Sequence, residues 1–200
     1  MKAPRLAVAA TAVALGLALV PAAGSAQDLH PSRRPSPMGV ARISLGDAYV
    51  KVDYSRPYKR NRDNIFGTKE SGALVPYGEI WRTGANEATE ITTTQDLMFG
   101  SKKLPAGTYS VFTTPGAEEW TIHFNSHLGL SGTGIFADGK FTPVDLAPTE
   151  VLTAKAKSTA LDEKDEVDQF TISFAKTDGG ADLVLRWIRT EVRFPFSVAK

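Results

Sequence analysis

The residues with the greatest chemical potential lie in one window, Leu74–Thr89, which reads LVPYGEIWRTGANEAT. It combines two large aromatic rings, a guanidinium, an amide and a carboxylate, from Tyr77, Trp81, Arg82, Asn86 and Glu87. An apolar wall with a few directed polar groups is typical of a small-ligand site. An ion pair and an amide that brace a long loop would use the same residue types.

Two accounts of this window therefore stay open. In the structural account, Trp81 anchors the loop, and Arg82, drawn partly out of water, pairs with Glu87 or with a backbone carbonyl. Gly84 then lets the chain turn so that Asn86 and Glu87 face Arg82. In the functional account, Arg82 and Asn86 recognise a ligand beside an aromatic wall, and Glu87 serves as a base or acceptor.

A catalytic alternative uses the same window. Glu87 with a second carboxylate, Asp53 or Glu79, would make the protein an extracellular hydrolase. Glycoside hydrolysis requires two carboxyl groups about 5–10 Å apart, and spacing along the chain does not determine that distance. A further alternative is a module of the cell envelope in which the motif only braces the fold.

A compact basic segment precedes the window and contains Arg56, Lys59, Arg60 and Arg62, with Tyr58 among them. Guanidinium groups bind carboxylates and phosphates through two parallel hydrogen bonds. One interpretation is an anion-binding loop in which Arg56 supplies a second cation to the site. The other is a solvated loop with diffuse counter-charges.

Other motifs for metal or phosphate binding are weak. His123 and His127 would share a face only on a helix, and His123 falls in a predicted strand, which favours surface imidazoles. Gly134–Lys140 follows a phosphate-loop pattern, but Phe141 replaces the hydroxyl residue, and a turn at Asp138-Gly139 explains the glycine. The chain has no cysteine. We therefore predict no metal site and no cofactor.

The N-terminus has the layout of a secretory signal peptide. Lys2 and Arg5 precede an apolar run, Leu6–Val20, and small residues end at Ala26. The run is shorter than the roughly 20 residues that span a membrane. We predict cleavage after Ala26, export to the periplasm or beyond, and no stable membrane span in the mature chain.

Charge and composition narrow the class of partner. The 23 basic and 22 acidic residues nearly balance, whereas a nucleic-acid binder carries a basic excess. The expected partner is a small molecule, a glycan or a component of the envelope. The function that this favours is a non-catalytic exported binding module.

Period-two patterning predicts the fold. Val40–Leu45 and Ala48–Tyr54 flank a Gly46-Asp47 turn and predict a hairpin. Further strands are predicted at 90–94, 96–99, 102–104, 108–113, 120–125, 151–157, 167–175 and 181–189. Residues 191–198 are predicted to form an edge strand, where Pro195 needs no ladder partner. Many short strands and close turns, without a long helix, predict one antiparallel β-sandwich with long loops. Its predicted bounds are residues 39–200, behind a flexible proline-rich leader, residues 27–38.

The motifs resemble those of a secreted bacterial family, domain of unknown function DUF2911. The resemblance rests on Leu74–Gly78 and Trp81–Thr89, and it continues through shorter segments: Tyr54–Pro57, Ile65–Gly67, Lys102–Ser110, Glu119–Thr121, Phe170–Phe174 and Leu183–Trp187. It implies bacterial export and a β-rich domain, with no settled activity. Members often carry a Trp-Gly pair in the loop after the Trp120 strand, whereas Leu128–Gly132 has no tryptophan here.

Overall fold

The computed structural model describes residue 30 and residues 33–200. The predicted signal peptide, residues 1–26, and residues 27–29, 31 and 32 of the predicted leader lie outside the described residues. In the described part, no helix has the length and apolarity to cross a membrane. The architecture there is all-β, as the sequence predicts, with short 3-10 turns at Ala147–Thr149 and Glu163–Asp165.

The strands follow the alternation of the sequence, because each buries one face and leaves the other to water or to a covering loop. Their bounds are β1 Met38–Leu45, β2 Ala48–Ser55, β3 Phe66–Gly67, β4 Val75–Pro76, β5 Thr89–Thr93, β6 Leu97–Phe99, β7 Lys102–Leu104, β8 Gly107–Thr114, β9 Glu119–Asn125, β10 Gly134–Ala137, β11 Lys140–Pro143, β12 Glu150–Ala160, β13 Val167–Thr177, β14 Gly180–Ile188 and β15 Thr190–Val198.

Two tight turns close hairpins where the sequence predicts them. Leu45 pairs with Ala48 across Gly46-Asp47, and Gly46 has a φ of 59°. Ala137 pairs with Lys140 across Asp138-Gly139, and both turn residues have positive φ. Such turns need left-handed backbone, which glycine and aspartate tolerate best.

The main sheet runs in the order β1-β2-β5-β8-β9-β12-β15-β14-β13. The long strand β12 joins its two halves. Residues 150–157 of β12 pair with β9, and residues 158–160 pair with β15. The sheet folds over at this strand, so its halves face each other across one apolar core. This is the antiparallel β-sandwich that the patterning predicts. Among the strands of the described residues, only the short pair β3–β4 is parallel.

The far ends of the two halves meet through Tyr54 on β2. Its hydroxyl donates to the Ile172 carbonyl at 3.1 Å and accepts from the Ile172 N–H at 2.9 Å. Burial raises the pKa of the Tyr54 hydroxyl, so it stays a donor. Because these bonds join β2 to β13, they hold the open side of the folded sheet together.

The prediction of an edge strand at residues 191–198 was wrong. Strand β15 lies between β14 on one side and β12 and β6 on the other. However, β12 pairs only with Thr190–Val192, and β6 only with Ser197–Val198. Pro195 lies in the gap between these partners. A proline is tolerated there because a ladder that is already interrupted needs no donor from it.

An aromatic cluster fills the core at one end of the sandwich. Trp81 and Trp187 stack at a centroid distance of 6.0 Å, and Phe170 contacts both edge-on at 5.1 and 5.9 Å. Phe66 and Trp120 complete the cluster, with centroids 4.9 Å apart. Aromatic pairs of this kind contribute about 0.5–1.5 kcal/mol beyond the area they bury.

We expect Phe170→Ala to lower the free energy of unfolding by about 3–5 kcal/mol, because it opens a cavity inside this cluster. Phe170 is 1% exposed. Phe136→Ala is the matched control, because Phe136 is 44% exposed and should change stability by no more than about 0.5 kcal/mol. Urea denaturation measures both. Equal effects of the two substitutions would contradict a core at this position.

Candidate functional site

The window Leu74–Thr89 crosses from the short β3–β4 pair to β5. Trp81 attaches it to the sheet by pairing with Thr113 of β8. The Trp81 N–H donates to the Thr113 carbonyl at 2.7 Å, and the Thr113 N–H donates back at 2.9 Å. The indole ring then enters the aromatic cluster between the two halves, so backbone and side chain hold this point together.

The turn after Trp81 is strained and strongly bonded. Thr83 and Asn86 have φ values of 53° and 57°, in a region that costs a non-glycine residue about 1–3 kcal/mol. The Thr89 hydroxyl donates to the Thr83 carbonyl at 2.7 Å, and the Thr83 hydroxyl donates to Thr113 Oγ1 at 3.1 Å. Trp81 Nε1 donates to the Gly84 carbonyl at 3.1 Å. These bonds hold the turn in its strained form.

Gly84 is needed for close approach to a neighbouring strand. A Cβ atom at this position would lie 2.8 Å from the backbone carbonyl oxygen of Ser55 at the end of β2. Backbone cannot move aside as a flexible side chain can. The turn therefore packs directly on β2, and only glycine leaves the required space.

Arg82 finds a backbone partner rather than the carboxylate of the window. Its Nη1 donates to the Asn86 carbonyl at 3.2 Å, and Gly132 covers the guanidinium, which lies 2.7 Å from where a Cβ of Gly132 would stand. Burial lowers the pKa of Arg82, and the nearby charge of Glu87 opposes this shift. From the sequence, the expected partner of Arg82 was either Glu87 or a backbone carbonyl, and the structure shows the carbonyl.

Glu87 instead binds a residue of the segment before β1. Nη1 of Arg34 donates to both carboxylate oxygens of Glu87 at 2.7 Å. Asn86 also turns toward that segment, and its Nδ2 donates to the Ser36 carbonyl and to Ser55 Oγ, each at 3.1 Å. Part of the predicted leader thus packs on the window, and the amide is used in bracing it.

The six residues proposed from sequence do not form one site. Trp81 and Arg82 line a cavity of about 260 Å³, which we call the arginine cavity. Glu87 lines a second cavity, of about 220 Å³, and Tyr77 lines a third, of about 670 Å³. Asn86 is used as described above. Arg56 donates to the Phe170 carbonyl at 3.2 Å and to Thr171 Oγ1 at 2.9 Å, so it ties β2 to β13.

The arginine cavity contains two further cations, Arg60 and Arg62, which sequence reasoning treated as a basic segment and left out of the site. Its walls include Tyr58, Trp81 and Trp187, and among the described residues no acidic side chain lines it. Arg60 donates to the Pro35 carbonyl at 3.2 Å, and Arg62 donates to the carbonyls of its own loop. The feature of the sequence that could have indicated their role is the high density of arginines between residues 56 and 62.

The second cavity, the carboxylate cavity, gathers acidic side chains. Asp53, Glu87 and Glu90 all line it. Asp53 pairs with Lys51 at 2.7 Å, and Glu90 accepts from the Gly129 N–H at 3.2 Å. Glu79, the other acid considered with Glu87, lies outside it and pairs with Lys69. Over residues 33–200 no group of three or more histidine, aspartate or glutamate residues could hold a metal ion.

His123 makes contacts that its position in the sequence did not indicate. Its Nε2 lies 2.9 Å from the Thr114 hydroxyl, and its Nδ1 lies 2.6 Å from Glu150 Oε2. The three residues come from adjacent strands, β8, β9 and β12. The chain of bonds links these strands on the face opposite the aromatic core. Only the register between strands reveals this alignment.

The family model described as Protein of unknown function (DUF2911) matches residues 36–196. The chain belongs to this family. The match includes the whole window and nearly the whole sandwich. A search of curated proteins finds no match for this DUF2911 protein, and a search of solved structures likewise finds none. Because the family description assigns no activity, function must be argued from the geometry of the cavities.

We expect Gly84→Ala to lower the free energy of unfolding by about 1–3 kcal/mol, because its methyl group would overlap the Ser55 carbonyl. Gly179→Ala is the matched control. Gly179 lies in an exposed turn, and a Cβ there would meet no atom within 4 Å. Thermal and urea denaturation of both variants give the comparison. If Gly84→Ala is as stable as Gly179→Ala, the close packing of the turn on β2 is refuted.

Proposed function

We propose that this exported protein is a non-catalytic binding module whose arginine cavity holds a small anion or the anionic group of an envelope glycan. One observation carries the proposal: Arg60, Arg62 and Arg82 line the same cavity, and no acidic side chain from the part of the chain that the structure describes does so. Export itself rests on the N-terminal pattern of charged, apolar and small residues.

Arg82 gives the strongest energetic argument. It is partly buried, and a cation taken out of water loses hydration that only a counter-charge or good hydrogen bonds restore. Its carboxylate neighbour Glu87 is bound to Arg34, and Arg82 itself bonds to a carbonyl. An anion in the cavity would supply the counter-charge that Arg82 lacks, and this interaction would favour binding.

Arg60 and Arg62 supply further donors at the mouth of the cavity. A guanidinium has five N–H groups, and in both residues the bonds described above use few of them. Within the described residues neither they nor Arg82 form an ion pair. The remaining donors suit a carboxylate, sulfate or phosphate, which guanidinium binds through paired hydrogen bonds.

The walls of the cavity suit a ligand with an apolar portion beside the charge. Tyr58 is 38% exposed, while Trp187 is 2% exposed and forms the base. Aromatic surface next to convergent donors is the usual composition of a small-molecule site. A sugar or other ring that carries an acidic group would contact both.

Binding of inorganic phosphate and sulfate tests the proposal. We expect both anions to raise the melting temperature of the purified protein above its value in chloride at the same ionic strength. Arg60→Gln together with Arg62→Gln should reduce phosphate affinity by about tenfold or more, because each charged hydrogen bond contributes about 1.5–3 kcal/mol before compensation. Calorimetric titration measures the affinities.

Arg42→Gln is the matched control, because Arg42 is an exposed cation on β1 and does not line the arginine cavity. It should leave phosphate affinity unchanged. Equal loss in the control would mean that the anion responds to overall charge. No shift with either anion, or full affinity after both substitutions in the cavity, would refute the proposal.

A hydrolase is the second candidate, because Asp53 and Glu87 line the same carboxylate cavity. Both carboxylates are held by cations, Lys51 and Arg34, which suits bracing better than proton transfer. We therefore expect no release of reducing ends from acidic or neutral polysaccharides. Release that Glu87→Gln abolishes, but Glu79→Gln preserves, would establish the hydrolase instead.

A further inference from the structure

A cavity of about 670 Å³ lies where β12 leaves β9 and joins β15. We call it the strand-switch cavity. It is separate from the arginine cavity, with which it shares no lining residue. The strands cannot stay paired while one of them changes partner, so the sheet opens here and leaves a recess with aromatic and polar walls.

A buried donor without a partner lies in the wall of this recess. Trp120 lines the cavity and is 2% exposed, and within residues 33–200 its Nε1–H has no hydrogen-bond partner. A buried, unsatisfied N–H costs about 1–3 kcal/mol. By contrast, Trp81 and Trp187 donate their indole N–H groups to the carbonyls of Gly84 and Asp168 at 3.1 Å.

Cations and hydroxyl groups surround the same recess. Lys157 and Arg189 line it together with the hydroxyl-bearing residues Tyr77, Ser158 and Thr190, and so do the acidic residues Glu118 and Glu119. Within the described part of the chain, neither cation has a carboxylate partner. Arg189 is held only through Nε, which donates to the Leu161 carbonyl at 3.1 Å, and its terminal nitrogens stay available.

A strained turn places Arg189 at the rim. Trp187 pairs with Thr190, so Ile188, the last residue of β14, and Arg189 are the two residues of the hairpin turn that leads into β15. Ile188 has a φ of 49°. A β-branched residue in this region is an outlier that costs on the order of 1–3 kcal/mol, and such strain clusters at functional sites.

We propose that the strand-switch cavity is a second binding site and that it takes a sugar acid, namely a pyranose ring that bears a carboxylate. Lys157 and Arg189 bind the carboxylate. Trp120 donates its indole N–H to a ring or hydroxyl oxygen, and Tyr77 with Phe66 provides aromatic surface for the ring. Glu118, exposed beside them, accepts from a sugar hydroxyl. This site does not depend on the arginine cavity.

The chemical balance of the recess selects this class of ligand. Of the two carboxylates that line it, Glu119 is held by Lys155, which lies outside the lining. The two cations and Glu118 then leave one net positive charge beside the indole and hydroxyl donors, so the recess favours a ligand that is rich in acceptors and carries one negative charge. Exposed aromatic faces contact the apolar C–H faces of a pyranose ring. Inorganic phosphate would satisfy the cations but would leave the aromatic surface unused, and glucose would leave the cations unused.

The indole N–H resonances offer a direct test. The chain has three tryptophans, and Trp120→Phe assigns the signal of the unpartnered donor in a nitrogen–proton correlation spectrum. We expect sodium glucuronate to move that signal downfield as the hydrogen bond forms, whereas the signals of Trp81 and Trp187 stay in place. Glucose and inorganic phosphate should not produce this shift.

Substitutions at the rim distinguish the two cavities. Lys157→Gln together with Arg189→Gln should weaken glucuronate binding by about tenfold or more and leave the affinity for phosphate unchanged. Both side chains are exposed, so the variant should fold normally. Arg60→Gln with Arg62→Gln should keep the glucuronate affinity that is measured at the Trp120 indole signal, whatever it loses at the arginine cavity. No shift at Trp120, or loss of glucuronate only in the Arg60 and Arg62 variant, would overturn the second site.

Discussion

One partly buried tryptophan, Trp81, ties the central window to both halves of the sandwich. Its backbone pairs with Thr113 in both directions, and its ring stacks on Trp187 of the opposite half. A loop of this length has few apolar groups of its own, so without such an anchor it could not offset the conformational entropy of ordering it. The strained residues Thr83 and Asn86 are tolerated because the anchor and the surrounding bonds hold the turn.

Because the window is a brace, most of its directed groups serve the fold. Asn86 and Glu87 bind the segment before β1, and the Trp81 indole binds its own turn. Arg82 is the exception. Its guanidinium donates to the Asn86 carbonyl within the turn, whereas the Glu87 carboxylate pairs with Arg34, and the Arg82 side chain lines a cavity. Structure and binding therefore meet at this one residue.

The cavities lie where regular pairing fails. The strand-switch cavity opens where β12 changes partner, and a smaller recess of about 400 Å³ includes Pro195, between the partners of β15. The arginine cavity lies between the basic loop and the window, whose only strand there is the two-residue β4, Val75–Pro76. Where strand pairing is continuous, the sheet covers the apolar core. Polar and charged side chains therefore line recesses at the places where pairing is interrupted.

Alternation along the chain was sufficient to predict an all-β sandwich and the hairpins at Gly46 and Asp138, because burial of one face has a period of two whatever the neighbours are. It also identified the window by residue type. It could not predict that β15 is a central strand, since Pro195 is compatible with an edge and with a gap alike. Which distant strands become neighbours depends on the topology of the whole sheet, and alternation within one strand does not determine it.

The partners of the charged residues were decided only by the tertiary structure. Glu87 stands five residues from Arg82 and yet pairs with Arg34, and Tyr77 faces a different cavity from Trp81. Side-chain chemistry determines which residues require a counter-charge or a hydrogen-bond partner. The sequence by itself therefore indicated that residues such as Arg82 and Glu87 need partners. Which atoms come within bonding distance depends on how the sheet folds over at β12, because contacts between distant segments exist only after the two halves meet.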